Sequence, residues 1–254
     1  MHVRKDLAET FLAQGVTMMR LGGSMTNTAG FRFKYMVGPA WSRPPTDSSW
    51  IQHTSWGFGI FEFLEFNERA GLQPYLCINF DEDMAGLLEY LYGGSSTRWG
   101  AQRIADGHPQ TYSKQIVFIC SNEEPQQACN GKFPCYISAF SAWANATKTA
   151  AKSLGVWPLT VGVALDSGAG RFFNPSSEDP YRGGATEMLK AIKAAELEDA
   201  QVLWDQHGDG GVAAGWGDGR DWEKLLSNVP PSPNSMEALS KQIAGRWIKT
   251  IMLE

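Results

Sequence analysis

No stretch of this chain approaches the ~20 consecutive apolar residues that a membrane-crossing helix needs. The first sixteen residues, MHVRKDLAETFLAQGV, form a charged amphipathic pattern without the apolar centre of a secretory leader. The compartment stays open between extracellular and cytoplasmic, because the natural start is expected to lie upstream. Charge of one sign is also scarce: 22 basic residues stand against 27 acidic ones, a net of −5. That balance offers no footprint for nucleic acid or an anionic membrane. The four histidines, at positions 2, 53, 108 and 207, show no HxxxH or HxH grouping, so no metal ligand set is expected. No GxGxxG follows an apolar run and no GxSxG occurs, which leaves dinucleotide binding and the serine-hydrolase elbow without support.

Cysteine is equally sparse, with four residues in all. Cys77 and Cys120 sit inside apolar runs and read as buried thiols. Cys129 and Cys135 bracket CNGKFPC and could close a disulfide or stay free. Asn145-Ala146-Thr147 is a glycosylation sequon, but it falls inside a helical pattern.

What the chain does have is a 43% hydrophobic share, enough for a sizeable core, and ten tryptophans, whose flat faces suit sugar rings as well as ordinary cores. Helical and strand patterns alternate along it. Helix periodicity covers residues 3–14, 58–70, 83–92, 136–154, 187–195, 221–227 and 235–244. Apolar runs at 16–21, 74–80, 115–120, 157–165, 200–204 and 248–253 read as six strands, and the Gly, Ser and Arg-rich stretch between 93 and 114 reads as loop. Continuous apolar runs fit parallel strands buried on both faces, in a doubly wound sheet or a barrel. Polar residues gather where strands end: Asn79 and Asp81, Asn122 and Glu123, Asp205 and His207, and Glu254. Barrel active sites are built at such ends, which favours a (β/α)8 TIM barrel, incomplete because six strands do not close one. The expected organisation is a single incomplete barrel domain over residues 1–254.

The sharpest candidate is Asn122-Glu123, placed after the apolar run QIVFIC. A carboxyl there can be desolvated and kept protonated, as a general acid requires. The alternative is a solvated cap of the next segment. Glu254 could supply the second of the two carboxylates that a retaining glycosidase holds about 5–5.5 Å apart. The other reading is an ordinary terminal residue. His207 could contact substrate or serve structure, and Arg20 could orient a carboxylate or form a barrel-mouth ion pair.

At these residues the sequence resembles the catalytic barrel of family 51 α-L-arabinofuranosidases, and more loosely their clan of retaining barrel glycosidases. The stretches that carry the likeness are MMRLGGSM, KYMVGPAWSRPP, FGIFEFLEFNERAGLQPYLCINF, DGHPQTY, IVFICSNEE, VLWDQHGDG and KTIMLE, in family order. The resemblance implies Glu123 as acid/base, Glu254 as nucleophile, and Asn122 as the contact to the sugar 2-hydroxyl. It implies Arg20 as support for the active-site carboxylates, with His207 and Asn79 among the substrate-binding residues. It implies strands two to seven of the barrel, an arabinose-containing oligo- or polysaccharide as substrate, and neither metal nor organic cofactor. Two departures stand out: Leu21 meets Gly22 directly where the family carries a proline, and Ser24 replaces a common asparagine.

Overall fold

The computed structural model describes residues 3–47, 55–120, 133–165, 190–197, 201–206 and 248–253. In chain order these form α1 (Lys5–Ala13), β1 (Met18–Leu21), α2 (Ile60–Ala70), β2 (Gln73–Ile78), α3 (Met84–Tyr92), α4 (Arg98–Asp106) and β3 (Val117–Cys120). They continue as α5 (Phe133–Ser153), β4 (Thr160–Leu165), β5 (Gln201–Gln206) and β6 (Ile248–Leu253), and residues 190–194 are helical. The chain divides into two compact units, residues 1–122 with 142–161 and residues 123–141 with 162–254. No described helix is long and apolar enough to cross a membrane.

In the first unit β1, β2 and β3 are parallel neighbours, with Arg20 opposite Tyr75, Leu21 opposite Leu76, and Ile78 opposite Cys120. Parallel strands need helices on their faces, and their side chains are buried accordingly. Tyr75, Leu76 and Cys77 of β2 and all four residues of β3 are at most 1% exposed. α2 packs against β2, and its Phe63 and Leu64 are as deeply buried as Leu87, Leu88 and Leu91 of α3. In the second unit β5 and β6 are parallel, Val202 opposite Ile248, with a register shift before Trp204 and Ile251. The apolar runs did predict these strands.

The helix ends follow local chemistry. Gly71 takes a left-handed φ of 68° after α2, and Leu72 N–H bonds back to Asn67 O at 2.9 Å, turning the chain into β2. Asp83 accepts from Gly86 N–H to cap α3. Between α3 and β3 the structure corrects the sequence reading. Residues 98–106 are helical, with Thr97 accepting from Gly100 N–H and Gly107 at φ 109° closing the far end. The segment RWGAQRIAD holds too few apolar residues to draw a clear stripe, and that hid the helix although both caps stand in the sequence.

Cys77 and Cys120 are buried thiols outside any disulfide, and burial pushes the Cys120 thiol well above its ordinary range. Cys135 is disulfide-bonded. Thr147 is fully buried and its hydroxyl donates to Trp143 O at 2.8 Å, so the sequon's recognition hydroxyl is sealed inside α5.

Candidate active site

The site builds upward from the C-terminal ends of β1 and β2. Gly22 follows β1 with φ 152°, and a Cβ there would lie 2.3 Å from the Cβ of Cys77. Only glycine lets the chain pass this close to the neighbouring strand. Beyond it the chain runs through short 3-10 turns at Ser24–Asn27, Phe33–Tyr35 and Ala40–Ser42 before reaching α2.

Three carboxylate or amide groups fasten this long connection. Asn79, just past β2 and 4% exposed, donates through Nδ2 to Thr26 O at 2.6 Å and Thr28 O at 3.1 Å. Its Oδ1 accepts from Asp81 N–H at 3.0 Å, so the amide is engaged at both ends. Glu82 accepts from Phe33 N–H at 2.9 Å and from Asp83 N–H at 3.0 Å. Burial raises the Glu82 carboxyl above its ordinary range, and these hydrogen bonds offset only part of that. Arg43 reaches Glu62 of α2 through two bonds, Nη1–Oε2 at 2.7 Å and Nη2–Oε1 at 2.8 Å, and also donates to Gly38 O and Trp56 O. Glu62 in turn accepts from Gly59 N–H at 2.9 Å, the first amide of its own helix start. Burial alone would raise the Glu62 carboxyl. The bonds from Arg43 and Gly59 outweigh it and hold the carboxyl below its ordinary value.

Of the six residues singled out from the sequence, the structure describes two. Arg20 is half-buried near the end of β1 and Asn79 is buried immediately after β2, on neighbouring strands. Asn122, Glu123, His207 and Glu254 lie outside the described residues. In the chain they follow the ends of β3, β5 and β6 by one to three positions. Arg32 and Asp81 form an ion pair of 3.6 Å at the same end of the first unit, a pairing that no sequence motif announces. Trp41 is exposed, at 89%, on the turn between Pro39 and Arg43.

A second polar cluster lies elsewhere in the first unit. His108 Nε2 is 2.8 Å from Glu68 Oε2 and 3.8 Å from Glu65 Oε1, and its ring stacks on Tyr112 with centroids 4.0 Å apart. His108 stands 40 positions beyond Glu68 in the chain, so spacing patterns could not find the cluster.

Parallel strands with intervening helices fit the (β/α)8-barrel class, and the described residues carry six such strands. Solved structures agree. A family 51 arabinofuranosidase from Xanthomonas axonopodis pv. citri matches 98% of this chain and 49% of its own, at TM-score 0.68 and 18% identity. A family 51 α-L-arabinofuranosidase from Bifidobacterium longum matches 81% of this chain and 38% of its own, at TM-score 0.63 and 23% identity. At sequence level residues 11–159, more than half of the chain, match the alpha-L-arabinofuranosidase 1 domain, and the chain belongs to that family. A probable α-L-arabinofuranosidase A from Aspergillus niger is 25% identical over 146 residues, 49% of this chain and 23% of that protein. An extracellular exo-α-L-arabinofuranosidase from Streptomyces chartreusis is 25% identical over 176 residues, 55% of this chain and 21% of that protein. The chain thus spans about a quarter of the length of these curated relatives.

Proposed function

We propose that residues 1–254 belong to one catalytic barrel of a retaining glycoside hydrolase that releases terminal α-L-arabinofuranosyl groups from oligo- or polysaccharides. The observation that carries this reading is the family match over residues 11–159, which contains Arg20, Asn79, Asn122 and Glu123 in a single span. Glu254 attacks the anomeric carbon while Glu123 protonates the leaving oxygen, giving a covalent glycosyl-enzyme. Glu123 then takes a proton from water, which displaces Glu254 and frees the sugar. Asn122 holds the 2-hydroxyl, His207 contributes to substrate binding, and Arg20 orients the carboxylates, while the buried Asn79 acts on the substrate side only through the backbone it holds. Asn79 fixes the backbone at Thr26 and Thr28 beside the end of β1, which supports a rigid wall for the sugar. No step calls for a metal or an organic cofactor.

The test is Glu123→Ala assayed on two kinds of arabinofuranoside. General acid catalysis contributes about 100-fold or more when the leaving group is poor. An alkyl or polysaccharide substrate should lose at least that much, while an activated aryl arabinofuranoside should lose little in the glycosylation step. Equal losses on both would remove Glu123 from the acid role. Hydrolysis of aryl xylosides in preference to arabinofuranosides would instead assign the chain to another member of the clan.

A further inference from the structure

The cluster at His108 lies away from the proposed sugar site, near the N-terminal ends of β2 and β3, and the glycosidase reading makes no use of it. Glu65 and Glu68 stand one turn apart on α2, so their carboxylates share a face. His108 enters from the segment after α4, where the left-handed Gly107 and the bond from His108 N–H to Arg103 O at 3.1 Å set its backbone. The buried Arg103 side chain donates back to His108 O at 3.1 Å.

The ring is fixed in both orientation and tautomer. Tyr112 stacks flat against it at an interplanar angle of 13°. Nδ1 lies 2.7 Å from Gln110 O, and a carbonyl can only accept, so Nδ1 carries a proton. Nε2, on the other side of the ring, faces Glu68 Oε2 and Glu65 Oε1. These three atoms converge on one point, and a cation placed there would be shared by all of them. A carbonyl-anchored imidazole with its other nitrogen turned to carboxylates is how proteins commonly orient a metal ligand.

We propose that Glu65, Glu68 and His108 bind a divalent cation of the zinc class. Zinc bonds of the usual length, set tetrahedrally, put neighbouring ligand atoms about 3.3–3.5 Å apart. The two distances from Nε2, 2.8 and 3.8 Å, bracket that edge, and all three ligand atoms lie within 4.8 Å of one another. Arg69 holds the other oxygen of Glu65 at 3.1 Å and leaves Oε1 turned to the imidazole. A separate observation points the same way. Tyr112, stacked on His108, is 5% exposed and its hydroxyl has no hydrogen-bond partner among the described residues. Asn67 Oδ1, fully buried one residue before Glu68, is likewise without a partner. Tyr112, Asn67 and Glu68 line one cavity of about 180 Å³, which has room for water beside Glu68. The ion would tie α2 to the segment that leads into β3.

Zinc chloride titrated calorimetrically into the chelator-stripped full chain tests this, together with thermal melts and the visible spectrum of the cobalt-loaded protein. The expected result is one saturable site, tetrahedral cobalt bands, and a melting point raised by about 5 °C or more at hundredfold excess over Kd. His108→Gln and, because Glu68 is half-exposed and tolerant, Glu68→Gln should each weaken binding at least tenfold. No saturable binding would overturn the proposal. Binding that survives unchanged in Glu68→Gln, even if His108→Gln fails to fold, would overturn it too by placing the ion elsewhere.

Discussion

Replacing Glu62 by glutamine separates the anchoring of the loop after β1 from every other feature of the fold. The carboxylate is 8% exposed and meets Arg43, itself 9% exposed, through two short bonds, with a third from Gly59 N–H. Glutamine keeps the size and one acceptor oxygen, but it turns an NH2 group toward the guanidinium and leaves that charge with only carbonyl partners at Gly38 and Trp56. Removing one partner of a buried pair costs about 3–5 kcal/mol. The Glu62 side chain retains 10% exposure and the carbonyls still serve Arg43, so the lower end applies, about 3 kcal/mol. For a chain of this size that corresponds to a fall in melting temperature of about 6–12 °C. Circular dichroism melts of the two proteins at neutral pH read it directly. The carboxyl is depressed in the folded state, so its contribution is complete above the unfolded value of 4.5 and fades as pH falls through the folded value. The gap between wild type and variant must therefore narrow in acid. A melting difference under about 2 °C at neutral pH, or one that widens in acid, would refute the reasoning.

Glu82 should show the opposite sign. Its folded carboxyl is raised above 4.5, so the penalty of holding it ionised is present at neutral pH and relieved as pH falls. Wild type should gain stability relative to Glu82→Gln between neutral pH and 4.5, measured by urea denaturation at each pH. Asn79→Ala strips the donor from Thr26 O and Thr28 O and should cost about 1–3 kcal/mol in the same assay. Gly22→Ala should destabilise, and Cys77→Ala should fail to rescue it, because the new methyl meets the Cβ of Cys77 at 2.3 Å as well as its sulfur. A thermal melt of the double variant that matches Cys77→Ala alone would show that the backbone relaxes freely there.

The strands were legible because a parallel strand buried on both faces must be a run of apolar residues. PYLCINF and QIVFIC could hardly be anything else once Gly71 and the polar stretch before Gln115 bounded them. The helix at 98–106 was not, since Arg98, Gln102 and Arg103 break its apolar stripe, although Arg103 is buried and spends its guanidinium on the carbonyls of Tyr90, Gly93 and His108. A buried arginine looks polar in sequence and behaves as core. The candidate site was legible only as far as residues cluster next to strand ends, which is how Arg20 and Asn79 were found. The ties made by Glu62, Glu82 and Arg32 pair residues many positions apart, and periodicity carries no record of such partners.

These ties bear on what the end of the barrel sheet can do. A connection that runs from Gly22 to Gly59 would carry a large conformational entropy if its ends alone were fixed. Asn79, Glu82 and Arg43 instead bond its backbone near residues 26–28, at 33, and at 38, using the turn after β2 and the first turn of α2 as supports. Asn79 and Glu82 come from the turn after β2, while Arg43 lies in the connection itself and is held by Glu62 of α2. Proline at 39, 44 and 45 stiffens the stretch that carries Trp41, whose face stays open to solvent. Under the proposed function such a segment would be preorganised and would meet a sugar without ordering itself first, which is where binding energy is otherwise lost. The His108 cluster lies toward the other end of these strands, where Glu68 of α2 meets the segment that leads into β3.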